Sequence, residues 1–189
     1  MKRQIILASA SPRRIALLKE CGLIFKVIAS NIKEDSNYIR PSYIVKDLSY
    51  KKGISVSKIC PSSLVLSADT IVVLNNKIVG KPKNLKESKT LIRELNGSLH
   101  KVYTGVSIID NVVNKTICFY DCALVKMKKL SEKNLRKLFG KNMDKAGGYA
   151  VQDKNDGFVE KIYGDYYTVV GLPIKKLKQE LKKFNIYLK

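Results

Sequence analysis

Leu64-Val65-Leu66-Ser67-Ala68-Asp69-Thr70-Ile71-Val72-Val73-Leu74 is a long aliphatic, β-branched run, followed by Asn75-Asn76 and then Lys77-Ile78-Val79. The composition predicts a strand that is largely buried, and the Asn-Asn pair predicts a tight turn into a second, short strand. Within that buried run Asp69 is out of place. A carboxylate removed from water without a partner is costly, so Asp69 implies a cation, a metal or a catalytic task. A salt bridge to a structural lysine is the other reading.

Outward from this strand the pattern alternates. Residues 5–8 read as a buried strand, and Ser9-Ala10-Ser11-Pro12-Arg13-Arg14 turns into a helix carrying Ile15, Leu17, Leu18 and Cys21 before Gly22. Ser11 suits the N-cap, Pro12 the first helical position and Gly22 the left-handed residue past the last turn. Residues 25–29 form a second strand and 41–58 a helix. Residues 85–95 form a helix ended by Asn96-Gly97, and 102–109 pair with 115–127. A helix is expected from Ser131 through Phe139, a loop from Lys145 to Tyr149 leading to Gln152, strands at 158–162 and 166–170, and a closing helix from Pro173. Strands alternating with helices, with hairpins among them, predict an α/β fold with a mixed sheet flanked by helices in a single domain over 1–189.

The chain has 189 residues, 36 Lys+Arg against 16 Asp+Glu, and a net charge of +20. Only six of the basic residues are Arg, and the lysines of the C-terminal segment fill one side of a helix whose other side is Leu177, Leu181 and Phe184. This charge suits a small phosphorylated substrate as well as it suits RNA. No apolar run approaches the ~20 residues of a membrane span, and the run after Met1-Lys2-Arg3-Gln4 is too short for a signal peptide. Cys21, Cys60, Cys118 and Cys122 contain no CxxC pair and His100 is the only histidine, so no zinc site is assembled; the cysteines are expected to be buried, reduced thiols of a cytoplasmic protein. Walker A, Gly-x-Gly-x-x-Gly and Gly-x-Ser-x-Gly motifs are absent from the sequence.

Candidate site residues follow from these placements. Ser9, Ser11, Arg13 and Arg14 sit where a strand ends and a helix begins, a position that favours an anion, and two guanidiniums there suit phosphate. A surface-charged helix start with an ordinary cap is the plainer alternative. Glu34, beside Asp35, follows the second strand at the same sheet end, and Lys52, Lys81 and Gln152 lie in segments placed to close over it.

The residues Leu7-Ala8-Ser9-Ala10-Ser11-Pro12-Arg13-Arg14, Glu34, Ser67-Ala68-Asp69-Thr70, Gly80-Lys81-Pro82, Val102-Tyr103-Thr104-Gly105-Val106, the run from Asp144 through Lys145-Ala146-Gly147-Gly148-Tyr149 to Gln152, and Gly164-Asp165-Tyr166 with Val169-Val170-Gly171-Leu172-Pro173 carry a resemblance. In this order they resemble the Maf family of nucleotide pyrophosphatases, nearly end to end. The resemblance implies a Maf/ITPase-like α/β fold, with a curved sheet and two lobes around a deep cleft, in a homodimer. It implies hydrolysis of nucleoside triphosphates to the monophosphate and pyrophosphate, with a divalent cation, Mg²⁺ or Mn²⁺. Asp69 falls on the family's catalytic aspartate, as base or metal ligand, with Glu34 helping to hold the metal. Ser9, Arg13, Arg14, Lys52, Thr70, Lys81 and Gln152 fall on substrate-binding positions. Arg13, Thr70 and Gln152 match the subgroup acting on dTTP and UTP, with modified pyrimidine triphosphates as further targets, rather than the one preferring 7-methyl-GTP. The segment Leu48-Ser49-Tyr50-Lys51-Lys52-Gly53 keeps the family's lysine but replaces the alanines usual at positions 49 and 53. A nucleic-acid-binding or division-regulating protein without turnover is the alternative, and nucleic acid and membrane are not expected partners of the enzyme.

Overall fold

The computed structural model describes residues 3–152 and 157–188. The strands are β1 (Ile5–Leu7), β2 (Lys26–Val27), β3 (Leu64–Leu74), β4 (Lys77–Val79), β5 (Leu99–Asp110), β6 (Lys115–Met127) and β7 (Val159–Tyr163). The helices are α1 (Pro12–Glu20), α2 (Pro41–Ile59), α3 (Leu85–Leu95), α4 (Glu132–Arg136), α5 (Tyr166–Val170) and α6 (Ile174–Lys182). One seven-stranded sheet has the order β2-β1-β3-β5-β6-β7, with β4 paired to β3. β1 pairs in parallel with both β2 and β3, whereas β3–β4 and β6–β7 are antiparallel. The sheet is therefore mixed, as the hairpins required.

Two compact units divide the chain. The first comprises Met1–Asp69, Thr104–Asp121 and Gly171–Lys189, and the second Thr70–Tyr103 and Cys122–Val170. In the first, Ile6, Ala8, Val56 and Val65 form a core of β1, α2 and β3, with Ile28 and Cys60 against it. Ile5, Ile6 and Leu7 stand opposite Leu64, Val65 and Leu66, so β1 ends beside Leu66 while β3 continues to Leu74, and Ser9 just past β1 and Asp69 within β3 both lie beyond that paired stretch. Side chains converging outside the carboxyl ends of parallel strands are where α/β folds place ligands. α2 also lies very close to β5: a Cβ on Gly105 would stand 2.2 Å from the Val45 carbonyl oxygen. Only glycine allows that backbone approach.

In the second unit, Val72, Leu91, Ile92, Leu95, Val102, Val125, Met127 and Phe158 form a larger core. The Gly147-Gly148 pair lies in a 3₁₀ turn with φ of +80° and +67°, backbone that side chains disfavour.

Several sequence expectations need correction. Residues 166–170 form the short helix α5, not a strand. Gly164 (φ +110°) turns the chain, Asp165 Oδ1 accepts the Tyr167 N–H at 2.9 Å, and the Asp165 carbonyl accepts the Thr168 N–H at 3.1 Å. This local capping outweighs the β-propensity of Tyr-Tyr-Thr-Val-Val. Ser11 occupies the N-cap of α1, but its side chain makes no cap hydrogen bond. The Ser9 hydroxyl accepts the Ser11 N–H instead, at 3.3 Å. The four cysteines are free thiols, yet Cys118 is exposed and the other three are only half-buried. Cys118 lies on a stretch of β6 whose side chains alternate between solvent and the sheet. The second strand shortens to Lys26–Val27, and the helix expected through Phe139 ends at Arg136.

Candidate active site

α2 buries a stripe of Ile44, Val45, Leu48, Ser49, Lys52, Gly53 and Val56 at helical spacing. Lys52 is the charged member of that stripe, and it is 8 % exposed. Its Nζ lies 2.5 Å from Asp69 Oδ1 and 2.6 Å from Glu34 Oε1. Asp69 is 5 % exposed on β3, whereas the Glu34 side chain is half exposed. The out-of-place carboxylate of β3 thus meets a buried ammonium, which two carboxylates share. Burying either charge alone would be strongly unfavourable, so each accounts for the other's position. Lys52 engages one Asp69 oxygen, leaving Oδ2 to accept from a water.

Arg14 lies at the start of α1. Its Nε donates to the Gly171 carbonyl at 2.8 Å, and its Nη1 donates to Ser9 Oγ at 3.1 Å. Ser9 is buried and accepts from both Arg14 and the Ser11 N–H, so its own hydroxyl hydrogen can be donated to an incoming oxygen. Burial pulls the Arg14 guanidinium below its usual range, Asp69 and Glu34 pull it back up, and Arg13 pushes it further down. Those influences place Asp69, Glu34 and Arg13 within electrostatic reach of Arg14. In the first unit the structure therefore brings together Ser9, Arg13, Arg14, Glu34, Lys52 and Asp69.

Thr70 follows Asp69 on β3 and is half-buried. Lys81 and Gln152 belong to the second unit and are exposed. Their loops adjoin within that unit: the Gly147 N–H donates to the Gly80 carbonyl at 3.2 Å, and the Cβ position of Gly148 lies 3.6 Å from Pro82 Cγ. Tyr149, three residues before Gln152, bonds through its hydroxyl to His100 Nε2 at 2.6 Å, and the rings meet edge to face at 5.4 Å.

Sequence reasoning missed Gly171, whose carbonyl fixes the outer edge of the Arg14 guanidinium. The only signal for it was its place in Val169-Val170-Gly171-Leu172-Pro173, because a backbone acceptor has no residue-type signature.

A family model described as Maf-like protein matches residues 4–184. The chain belongs to the Maf family. This Maf chain is 44 % identical over 187 residues to a protein of Bacillus anthracis (strain CDC 684 / NRRL 3495) named dTTP/UTP pyrophosphatase, covering 97 % of each chain. It is 46 % identical over 175 residues to a protein of the same name from Thermosipho melanesiensis, covering 92 % of this chain and 93 % of the other. Among solved structures, the Staphylococcus aureus Ham1 protein superposes with a TM-score of 0.58 at 14 % identity, covering 96 % of this chain and all of the other. That likeness concerns the fold alone and agrees with the mixed α/β sheet.

Proposed function

We propose that this Maf chain hydrolyses dTTP and UTP to the nucleoside monophosphate and pyrophosphate, with modified pyrimidine triphosphates as further substrates. The observation that carries the reading is the Lys52 ammonium held between Asp69 and Glu34, with Arg14 electrostatically coupled to both carboxylates. The two relatives named dTTP/UTP pyrophosphatase support the choice of substrates.

In the reaction a water oxygen bonds to the α-phosphorus while the bond from that phosphorus to the bridging oxygen of the β-phosphate breaks. The water's proton passes to a base and pyrophosphate departs with the bridging oxygen. Negative charge grows on the phosphoryl oxygens and the leaving group, so fixed cations lower the barrier most. Arg14, anchored by Gly171 and Ser9, supplies a fixed guanidinium charge, and Lys52 is a buried point charge. Arg13 and Lys81 add to the binding of the phosphate chain. Asp69 Oδ2 accepts the proton of the attacking water, with Lys52 holding Oδ1 and fixing the carboxylate plane. Thr70 and Gln152 read the base, since an amide presents both a donor and an acceptor to the edge of uracil or thymine.

Mg²⁺ or Mn²⁺ belongs to this reading. Among the described residues no group of three or more His, Cys, Asp or Glu side chains could hold a metal. Asp69 and Glu34 nevertheless converge on a single ammonium, so two carboxylates reach one cation-sized point. This fits ions that take one or two protein carboxylates and complete their shell with substrate phosphates and water. Such an ion would polarise the phosphoryl oxygens when bound.

A homodimer and a cytoplasmic location complete the proposal. The four free thiols favour a reducing compartment, and among the described residues no helix is long and apolar enough to cross a membrane. Molecular mass in solution checks the dimer.

The test is pyrophosphate release from canonical and modified nucleoside triphosphates, with and without Mg²⁺ or Mn²⁺. Metal-dependent release, fastest from dTTP and UTP, is expected. No release by folded protein would contradict the reading and favour a binding protein, whose affinity for RNA or DNA would fall steeply with salt.

A further inference from the structure

Ser67 and Asp69 point to the same side of β3, two residues apart, and Ser49, Lys52 and Gly53 lie on one side of α2. The strand and the helix therefore meet twice, once through charges and once through hydroxyls. The Ser67 hydroxyl donates to the Ser49 carbonyl at 2.7 Å, with the Ser107 carbonyl at 3.4 Å beyond it. The Ser49 hydroxyl donates to the Lys46 carbonyl at 2.9 Å. The 2.9 Å contact between the Ser49 and Ser107 oxygens is then a bond from Ser107, and the Cys118 thiol, 3.2 Å away, donates to Ser107 in turn. The shortest contact of the Ser67 hydroxyl is thus the one to α2, and Ser49, Ser67 and Ser107 are fully buried.

The Ser49 carbonyl is a backbone acceptor inside α2, and in a regular helix it also receives the N–H of Gly53. Ser67 reaches it across the bare Cα of Gly53. A Cβ there would lie 2.6 Å from Ser67 Oγ and 2.8 Å from Ile109 Cδ1. Aliphatic contacts alone let a helix slide a fraction of an ångström along a sheet at little cost, whereas a buried hydroxyl seated at 2.7 Å on a carbonyl of that helix favours one register. The residue adjoining Gly53 in α2 is Lys52, and Asp69 is the next residue on the same face of β3 as Ser67.

We infer that Ser67 is a positioning residue for hydrolysis: its hydroxyl, seated over Gly53 on the Ser49 carbonyl, fixes α2 on β3 in the register that brings Lys52 to Asp69. The inference rests on the reading of Lys52 and Asp69 as groups that act on the substrate. It also gives the replacement of alanine by glycine at position 53 a physical role, as the opening through which the hydroxyl passes.

Steady-state hydrolysis of UTP by Ser67→Ala, Gly53→Ala, the double variant and Ser67→Cys, each with its thermal midpoint, tests this. Ser67→Ala removes the bond, and Gly53→Ala blocks it from the helix side. Each single variant is expected to lower kcat about tenfold with KM within about twofold, the signature of misplaced reacting groups rather than lost binding. Because both act on one contact, the double variant should again lose about tenfold rather than about a hundredfold. Ser67→Cys, which keeps a weak donor, should recover part of the lost kcat. Wild-type kcat in Ser67→Ala, multiplicative losses in the double variant, or a kcat loss that only tracks the folded fraction would each overturn the inference. Asp69→Ala in the same assay separates the two levels. If it is inactive while Ser67→Ala is normal, only the positioning role fails; if it remains active, the catalytic reading fails and takes this inference with it.

Discussion

The two units hold their candidate residues in opposite ways. In the first, Lys52, Asp69, Arg14 and Ser9 are bonded to one another or to backbone carbonyls, and Lys52, Asp69 and Ser9 are buried. In the second, Lys81 and Gln152 are exposed on loops, and it is the backbone around them that is fixed, by the Gly147–Gly80 hydrogen bond and two left-handed glycines. Side-chain bonds hold groups to the sub-ångström tolerance that charge stabilisation in a transition state requires. A loop whose backbone is pinned but whose side chains are exposed suits recognition of a base, where a donor and an acceptor need only meet an edge. The contrast implies that changes in the first unit alter rate for every substrate, while changes in the second alter preference.

The largest effect is expected from Lys52→Met. It removes the ammonium and leaves two carboxylates facing each other, so pyrophosphate release should fall about a thousandfold with dTTP, UTP and GTP alike. A loss confined to pyrimidine nucleotides would break the contrast. Next is Gln152→Glu, which removes the amide donor. The ratio of kcat/KM for UTP over GTP should fall about tenfold while the better substrate is still turned over at a comparable rate. An unchanged ratio would remove Gln152 from base reading.

The smallest effect concerns stability. Burial pushes His100 down to about 4, so the folded protein holds the ring neutral. In the unfolded chain a histidine titrates near 6.5. The folded pKa lies below the unfolded one, so this contribution is complete above about pH 6.5 and is lost as pH falls from there toward 4, amounting to on the order of 3 kcal/mol. Urea unfolding at about pH 7 and about pH 4.5 should show this loss, and His100→Gln, which has no titrating ring, should reduce it. An equal loss in both proteins would place the acid sensitivity elsewhere.

Much of this was legible from the chain because hydrophobic patterning and turn chemistry agreed. The run 64–74, its Asn-Asn turn and β4 have the limits read from sequence, as do α3 and β6. Asn75 and Asn76 take φ of +49° and +62°, as a tight hairpin requires. Asp69 was legible for the converse reason, as a charge among aliphatics. Illegible features depend on partners remote in sequence or on backbone atoms. Residues 166–170 carry β-prone side chains, and the capping by Asp165 decides their helix. Lys52 and Gln152 were both marked as closing residues by the placement of their segments, yet nothing local distinguishes the lysine that is buried between two carboxylates from the glutamine exposed on a turn. The Gly171 carbonyl and the Ser67 hydroxyl act through backbone oxygens that any residue would supply.

The central claim is that Asp69 acts in the chemical step rather than only neutralising Lys52. The most direct measurement is the rate of pyrophosphate release from UTP by Asp69→Asn, with nucleotide affinity and thermal midpoint recorded on the same protein. Asparagine keeps the shape and a carbonyl oxygen for Lys52 but cannot take a proton, so turnover should fall about a thousandfold or more while affinity stays within about threefold. Near-wild-type turnover by a folded Asp69→Asn protein would contradict the account and reduce the Lys52–Asp69 pair to a structural salt bridge.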